Sequence, residues 1–191
     1  MKKKLPKIII KDTGKYGKGV FAGEDIKEGQ VIYILDGEKM DLMELVEKIN
    51  TDKEDIDDPL QVGRRTYIDL DKISRTFNHS CNPTTGIRKR SEMFALRDIT
   101  KNEEITYDYS SIIAPTKFKM KCGCGAKKCR KMVGDILSLS NEQLDYYKRR
   151  GALQKYMKTL LKEVESGKYK IPKYELKALE MAKKIDNVSK K

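Results

Sequence analysis

Three of the chain's four cysteines fall within eight residues, as Cys122-x-Cys124-x4-Cys129, and no other feature limits its possible folds as much. No apolar run approaches the ~20 residues of a membrane span. Ile8, Ile9 and Ile10, after a basic start, are too few for the apolar stretch of a signal peptide. The expectation is a soluble, intracellular protein whose thiols stay reduced, so a metal site outranks a disulfide framework. Thiolates at this density suit tetrahedral zinc, and a structural zinc site takes four ligands. Cys81 is the one cysteine left, and its use would tie two segments far apart in the chain.

Cys81 itself lies in Arg75-Thr76-Phe77-Asn78-His79-Ser80-Cys81-Asn82-Pro83, a run too rich in hydrogen-bonding groups for a core strand and closed by a turn-favouring Asn-Pro. His79 is the only histidine. Its intrinsic pKa suits proton transfer, but a lone histidine is more often a hydrogen-bonded structural residue. A Cys81–His79 nucleophile pair lacks a third, orienting group. Downstream, Glu103-Glu104-Ile105-Thr106-Tyr107-Asp108-Tyr109 reads as a strand from Glu104 on, whose alternation places Tyr107 and Tyr109 on one side. Upstream, Gly17-Lys18-Gly19-Val20-Phe21-Ala22 reads as a turn into a strand, where glycine allows close backbone approach. No helix pattern follows and no acid sits at dinucleotide spacing, which argues against a Rossmann loop.

Together these four segments resemble the SET-domain protein-lysine methyltransferases with a post-SET zinc module, over about Tyr16 to Met132. The resemblance implies a mainly β, β-clip-like SET fold with a zinc-bound post-SET segment. It implies S-adenosylmethionine as methyl donor, with Lys18, Gly19, Arg75, Asn78 and His79 as its binding residues. In the family the Asn78 amide would touch the amino-acid end and the His79 backbone the adenine. One structural zinc ion would be held by Cys81, Cys122, Cys124 and Cys129. Tyr109 falls at the catalytic position, its hydroxyl orienting methyl group and amine. Tyr107 falls where the family alternates between Phe and Tyr, and a tyrosine there retains a water that favours monomethylation. Gly37-Glu38 matches the end of a family Tyr-x-Gly-Glu pattern, but Leu35 stands where many members have tyrosine, and Tyr33 replaces it only if the strand shifts.

The expected organisation is a SET domain over 1–114 with an acidic helical insert at about 38–60, a post-SET segment over 115–134 and a helical extension over 135–191. Val31 to Leu35 reads as a buried strand. Leu42, Leu45, Val46 and Ile49 recur at helical spacing, and core packing accounts for them. In the extension, Ser140-Asn141-Glu142-Gln143 has the form of a capping box, Gly151 ends that helix, and Leu153, Tyr156, Met157, Leu160, Leu161 and Val164 form an apolar stripe that needs burial. A second stripe, Ala178 to Ile185, follows Pro172.

The net charge of +12 is unevenly spread: residues 1–114 carry 20 bases against 21 acids, and residues 115–134 carry 7 against none. The acids of Asp36 to Asp58 read either as a solvated face or as a surface steering a basic protein substrate, a histone or another DNA-associated protein. The basic rear admits nucleic-acid contact, though no aromatics are interleaved to stack bases. A catalytically inactive SET-like zinc module that binds basic proteins or nucleic acid is the alternative, and Leu35 is the one feature on its side. With no pre-SET cysteine cluster or reader domain, the chain reads as a minimal enzyme.

Overall fold

The computed structural model describes residues 4–15, 17–51, 59–116 and 119–173. The stripe after Pro172 and part of the acidic run therefore lie outside the described residues. A first hairpin pairs β1 (Ile8–Asp12) with β2 (Lys18–Ala22) in antiparallel register. A three-stranded sheet then sets β8 (Glu92–Ala95) between β3 (Val31–Ile34) and β7 (Thr85–Arg88). A second one sets β6 (Thr66–Leu70) between β4 (Gly37–Asp41) and β5 (Leu60–Gln61). The small hairpin of β9 (Lys119–Lys121) and β10 (Met132–Gly134) frames the cysteine-rich loop.

Short, turn-punctuated strands cannot each bury a face alone, so they meet around one core. Val20, Ile32, Leu35, Leu70, Phe77, Ile87 and Ile105 are almost fully buried there. Leu35 is thus a core residue. β3 is half-buried rather than the expected buried strand: Ile32 points inward while Ile34 is 46% exposed. Its pairing with β8 shifts register between Val31 and Tyr33. Tyr33 packs on Phe77 with ring centroids 5.3 Å apart.

Helix α1 (Leu42–Thr51) buries Leu45 and Val46 as its periodicity requires. Several of the acids around it have local duties. Asp41 accepts from the Met43 and Glu44 amides while Glu44 accepts from the Asp41 amide, a reciprocal cap. Glu38 and Asp69 both hold Lys48.

The capping box at Ser140 opens α2 (Asn141–Arg149), with the Ser140 and Gln143 side chains satisfying each other's backbone amides. Gly151, at φ +70°, follows its end. Helix α3 (Lys155–Glu165) then buries Met157, Leu160 and Leu161 in a second cluster with Phe94, Leu96, Ile136 and Tyr147. At roughly 1.5–3 kcal/mol per large apolar side chain, this contact fastens the extension to the β core. Gly86 makes room for it: a Cβ there would lie 2.5 Å from that of Ala152.

Candidate active site

The Asn78 loop is held from below by the Tyr107 segment. The Tyr107 amide donates to the Asn78 carbonyl at 3.1 Å, and the Ser80 amide to the Tyr107 carbonyl at 3.1 Å, a parallel bridge. Glu104 to Tyr109 is not the regular strand its alternation suggests. It forms isolated bridges at Glu104 and Tyr107 and enters a 3-10 turn at Tyr109. The cause is Asp108, whose carboxylate accepts from the Ser110 amide and folds the chain back. The two tyrosines nevertheless meet, with ring centroids 4.8 Å apart. Tyr109 also packs edge-on against His79 at 5.2 Å and donates its hydroxyl to the Phe77 carbonyl at 3.1 Å.

A cavity of about 180 Å³ opens beside these groups, lined by Asn78, His79, Tyr109 and the Met120–Cys124 stretch of the cysteine-rich segment. Lys15 reaches across from the β1–β2 turn to the Gly123 carbonyl at 2.7 Å. The Asn78 amide nitrogen donates to Glu104 Oε1 at 2.8 Å and to the Lys18 carbonyl at 3.2 Å. Gly19 permits this closeness, because a Cβ there would sit 2.6 Å from Glu104 Oε1 and 2.9 Å from the Asn78 nitrogen. Lys18 and Gly19 thus adjoin Asn78 without lining the cavity themselves, whereas Asn78 and His79 line it. Arg75 is not among the residues lining the cavity: its guanidinium is taken by Asp69, at 2.5 Å, and by the Leu70 carbonyl. Sequence reasoning passed over Glu104, hidden in a Glu-Glu pair whose other member is bound to Arg97.

The four cysteines converge. Cys81 Sγ lies 3.7 Å from Cys122 Sγ, and Cys129 Sγ lies 3.6 Å from Cys122 Sγ. Cys124 Sγ is 3.5 Å from the Cys81 amide. Zinc–sulfur bonds of ~2.3 Å at tetrahedral angles put sulfurs about 3.8 Å apart, so these spacings fit the ion. His79 also lies within reach of Cys81, Cys122 and Cys124. Its Nδ1, however, accepts from the Tyr109 amide at 3.2 Å, which leaves the hydrogen on Nε2, 3.3 Å from Cys81 Sγ. A ring nitrogen bearing a hydrogen is no metal ligand, so His79 supports a thiolate by hydrogen bonding instead. Burial holds its pKa down to about 4, with the Arg130 charge adding to the effect, and the ring is neutral at pH 7. Burial pushes the Cys81 thiol up to about 12. Burial also opposes ionisation of Cys124, but the Cys81 and Ala126 amides outweigh it and bring that thiol to about 7.

Beneath the pair lies a fully buried carboxylate. Asp108 takes both terminal nitrogens of Arg130 at 2.6 Å and the Tyr147 hydroxyl at 2.9 Å. Burial raises the Tyr147 pKa, and the neighbouring carboxylate adds to it. One residue thereby joins the tyrosine segment, the cysteine-rich loop and α2. Asp108→Asn leaves the guanidinium without its counter-charge and is expected to cost about 3 kcal/mol. A urea denaturation midpoint unchanged from the parent's would contradict this.

Residues 17–110 match the family model described as SET domain. This mainly β fold with a thiol cluster against its Asn-His loop is a SET fold, and the chain belongs to the SET-domain family. It is 36% identical over 137 residues to a variant-silencing SET domain-containing protein of Plasmodium falciparum, covering 63% of this chain and 5% of that protein. It is 34% identical over 143 residues to a putative histone-lysine N-methyltransferase of Arabidopsis thaliana, covering 68% of this chain and 40% of that protein. The chain therefore spans less than half the length of these curated relatives. The methyltransferase domain of the human histone-lysine N-methyltransferase SETMAR shares the fold, with a TM-score of 0.55 at 24% identity over 68% of this chain and 58% of that one. Among the described residues no helix is long and apolar enough to cross a membrane.

Proposed function

We propose that this protein transfers a methyl group from S-adenosylmethionine to a lysine side chain of a basic protein. The observation that carries the reading is the convergence of Tyr109, Asn78 and the cysteine-rich segment on one cavity, with Tyr107 packed behind Tyr109, in a chain similar to histone-lysine methyltransferases. In this reading residues 1–114 are the SET domain, 115–134 the post-SET wall and 135–191 a buttressing extension. Cys81, Cys122, Cys124 and Cys129 hold one structural zinc ion, and Tyr109 and Tyr107 are the catalytic residues.

S-adenosylmethionine, when bound, supplies a methyl group on a positively charged sulfur. The acceptors gathered at the Asn78 amide, Glu104 and the Lys18 carbonyl, suit the ammonium at its amino-acid end. The nucleophile must be a neutral amine. With a lysine pKa near ~10.4, deprotonation at pH 7 costs about 4.6 kcal/mol. Desolvation between aromatic rings lowers that cost, since burial disfavours the ammonium. No side chain need act as base, and neutral His79 is committed to Cys81 and Tyr109. Tyr109 spends its hydrogen on the Phe77 carbonyl, so its oxygen offers lone pairs to align an incoming amine. Tyr33 packs its tilted ring on Phe77 beside the β3 register shift, while Leu35, at the position of the family tyrosine, is buried in the core.

Tyr107 is buried against Tyr109, and in this reading its hydroxyl would restrict the amine to one methyl group. Tyr107→Phe is expected to shift products from mono- to di- and trimethyl-lysine, read as peptide masses. An unchanged distribution contradicts the role given to this hydroxyl. The function as a whole is tested by incubating the protein with labelled S-adenosylmethionine and a panel of basic proteins including histones, then mapping methylated lysines by mass spectrometry. An inactive SET-like module would leave every lysine unmodified and need not bind the methyl donor at all.

A further inference from the structure

The cofactor cavity is not the largest concavity. Three others, of about 610, 470 and 560 Å³, share no lining residue with it. The first lies between the cysteine-rich loop and α2 and is lined by Lys127, Lys128 and Arg149, with Glu142. The second shares Arg149 with the first and adds Arg150 and Arg88, with Glu28. The third begins one residue beyond Arg88, at Lys89 and Arg90, and adds Arg64 and Lys155, with no carboxylate in its lining. Neighbouring acids temper this charge: Glu28 pairs with Arg150, Glu163 with Arg64, and Glu92 with Arg88 and Lys89. Nine cations still line these three concavities, against Glu142 and Glu28 in the linings and Glu92 and Glu163 beside them.

The third concavity is built on an unfavourable backbone. Lys89 and Arg90, the turn between β7 and β8, stand at φ +47° and +80°. Hairpins reserve such consecutive left-handed positions for Asn and Gly, because a Cβ clashes there. The turn thus holds two long cations in the lining of the third concavity against this preference, and such strain is consistent with a binding role. That role is not substrate capture, since a lysine-rich protein would be repelled by such a face.

We propose that this face binds the phosphate backbone of nucleic acid, tracking it from Lys127 to Lys155. The site is separate from the methyl-transfer cavity and does not depend on the activity proposed for it. Alternating lysine and arginine around successive hollows suits sequence-independent backbone contact, in which neutralised phosphates release counterions and affinity falls steeply with salt.

The test is fluorescence anisotropy with labelled mixed-sequence duplexes of roughly 20 base pairs, one DNA and one RNA, at about 50 and 200 mM salt. Five or so phosphate contacts predict a loss of about 10²–10³-fold between those salts. The decisive variant is Lys89→Asn with Arg90→Gly. It relaxes the turn and should raise the melting temperature, yet weaken duplex binding about tenfold and flatten the salt slope. Lys155→Glu, on a different element, should weaken binding similarly, while Lys101→Glu, outside the track, should not. Binding of either duplex through the track supports the proposal, and the tighter of the two identifies the source. No binding at low salt, equal losses in the Lys101 control, or a raised melting temperature with unchanged affinity overturns it. Tighter capture of a poly-glutamate peptide than of either duplex also overturns it, in favour of an acidic protein.

Discussion

Treatment of the purified protein with excess zinc chelator is expected to release one zinc ion per chain, expose four reactive thiols and abolish binding of S-adenosylmethionine while leaving the β core folded. The Cys81 and Cys129 sulfurs already stand 3.6–3.7 Å from that of Cys122, spacings that fit a tetrahedral ion, and structural zinc contributes ~10–16 kcal/mol of apparent binding free energy in small modules. Without the ion, thiols in contact have little to hold them together, and the loop between β9 and β10 loses its anchor to Cys81. That loop and the end of β9 supply Met120 to Cys124, one wall of the cavity. The main core draws on no residue beyond Ile113, and the second cluster begins again at Ile136 apart from Ala114. Cooperative unfolding of the remainder should therefore survive. The sign of the pH effect follows from the thiols. Burial disfavours ionisation of Cys81 and Cys122 in the metal-free protein, so protons compete with zinc and retention should weaken as pH falls. Thiol titration with and without chelator, alongside calorimetry with the methyl donor, measures all three outcomes. Donor binding that survives complete metal loss would refute the role given to the post-SET wall.

Features carried by residue identity and short-range spacing were legible in the sequence. The capping box at Ser140, the helix end at Gly151 and the stripe that buries Met157 and Leu160 needed only local rules. The gathering of the cysteines was open to counting, because a tetrahedral site wants four ligands and the chain has four. What sequence could not convey arises from partners distant in the chain. Alternation from Glu104 to Tyr109 reads as a strand, but its hydrogen bonds run to the Asn78 loop, and Asp108 turns the backbone before a ladder can form. The tie of Asp108 to Arg130 and Tyr147 spans 22 and 39 residues, with no periodicity to announce it. Leu35 illustrates the same limit. From its motif it was an absent tyrosine, whereas in three dimensions it is core and Tyr33 packs on Phe77 beside the register shift. Arg75, grouped by adjacency with the cofactor residues, is drawn away by Asp69, a partner from the preceding strand.

Tyr109→Phe is expected to lower kcat about 10³-fold, or about 4 kcal/mol in the barrier, with cofactor affinity and fold nearly unchanged. The substitution removes one oxygen from a ring that is otherwise fixed on three sides. The ring packs on Tyr107 and His79, and its backbone amide is held by His79 Nδ1. None of these contacts uses the hydroxyl. The lost hydrogen bond to the Phe77 carbonyl is worth about 1 kcal/mol, so the melting temperature should fall only slightly. The acceptors at Asn78, Glu104 and Lys18 make no hydrogen bond to that oxygen, which donates to Phe77, and should hold the methyl donor as before. A deficit in kcat with intact donor binding places the hydroxyl in the transition state rather than in the ground-state complex. The companion variant Tyr107→Phe separates the two tyrosines, because it should keep turnover while changing the number of methyl groups added. If Tyr109→Phe retains parental turnover, the amine is aligned by another group and the assignment of Tyr109 fails. If it loses donor binding in equal measure, the hydroxyl serves the cofactor pocket and not the reaction.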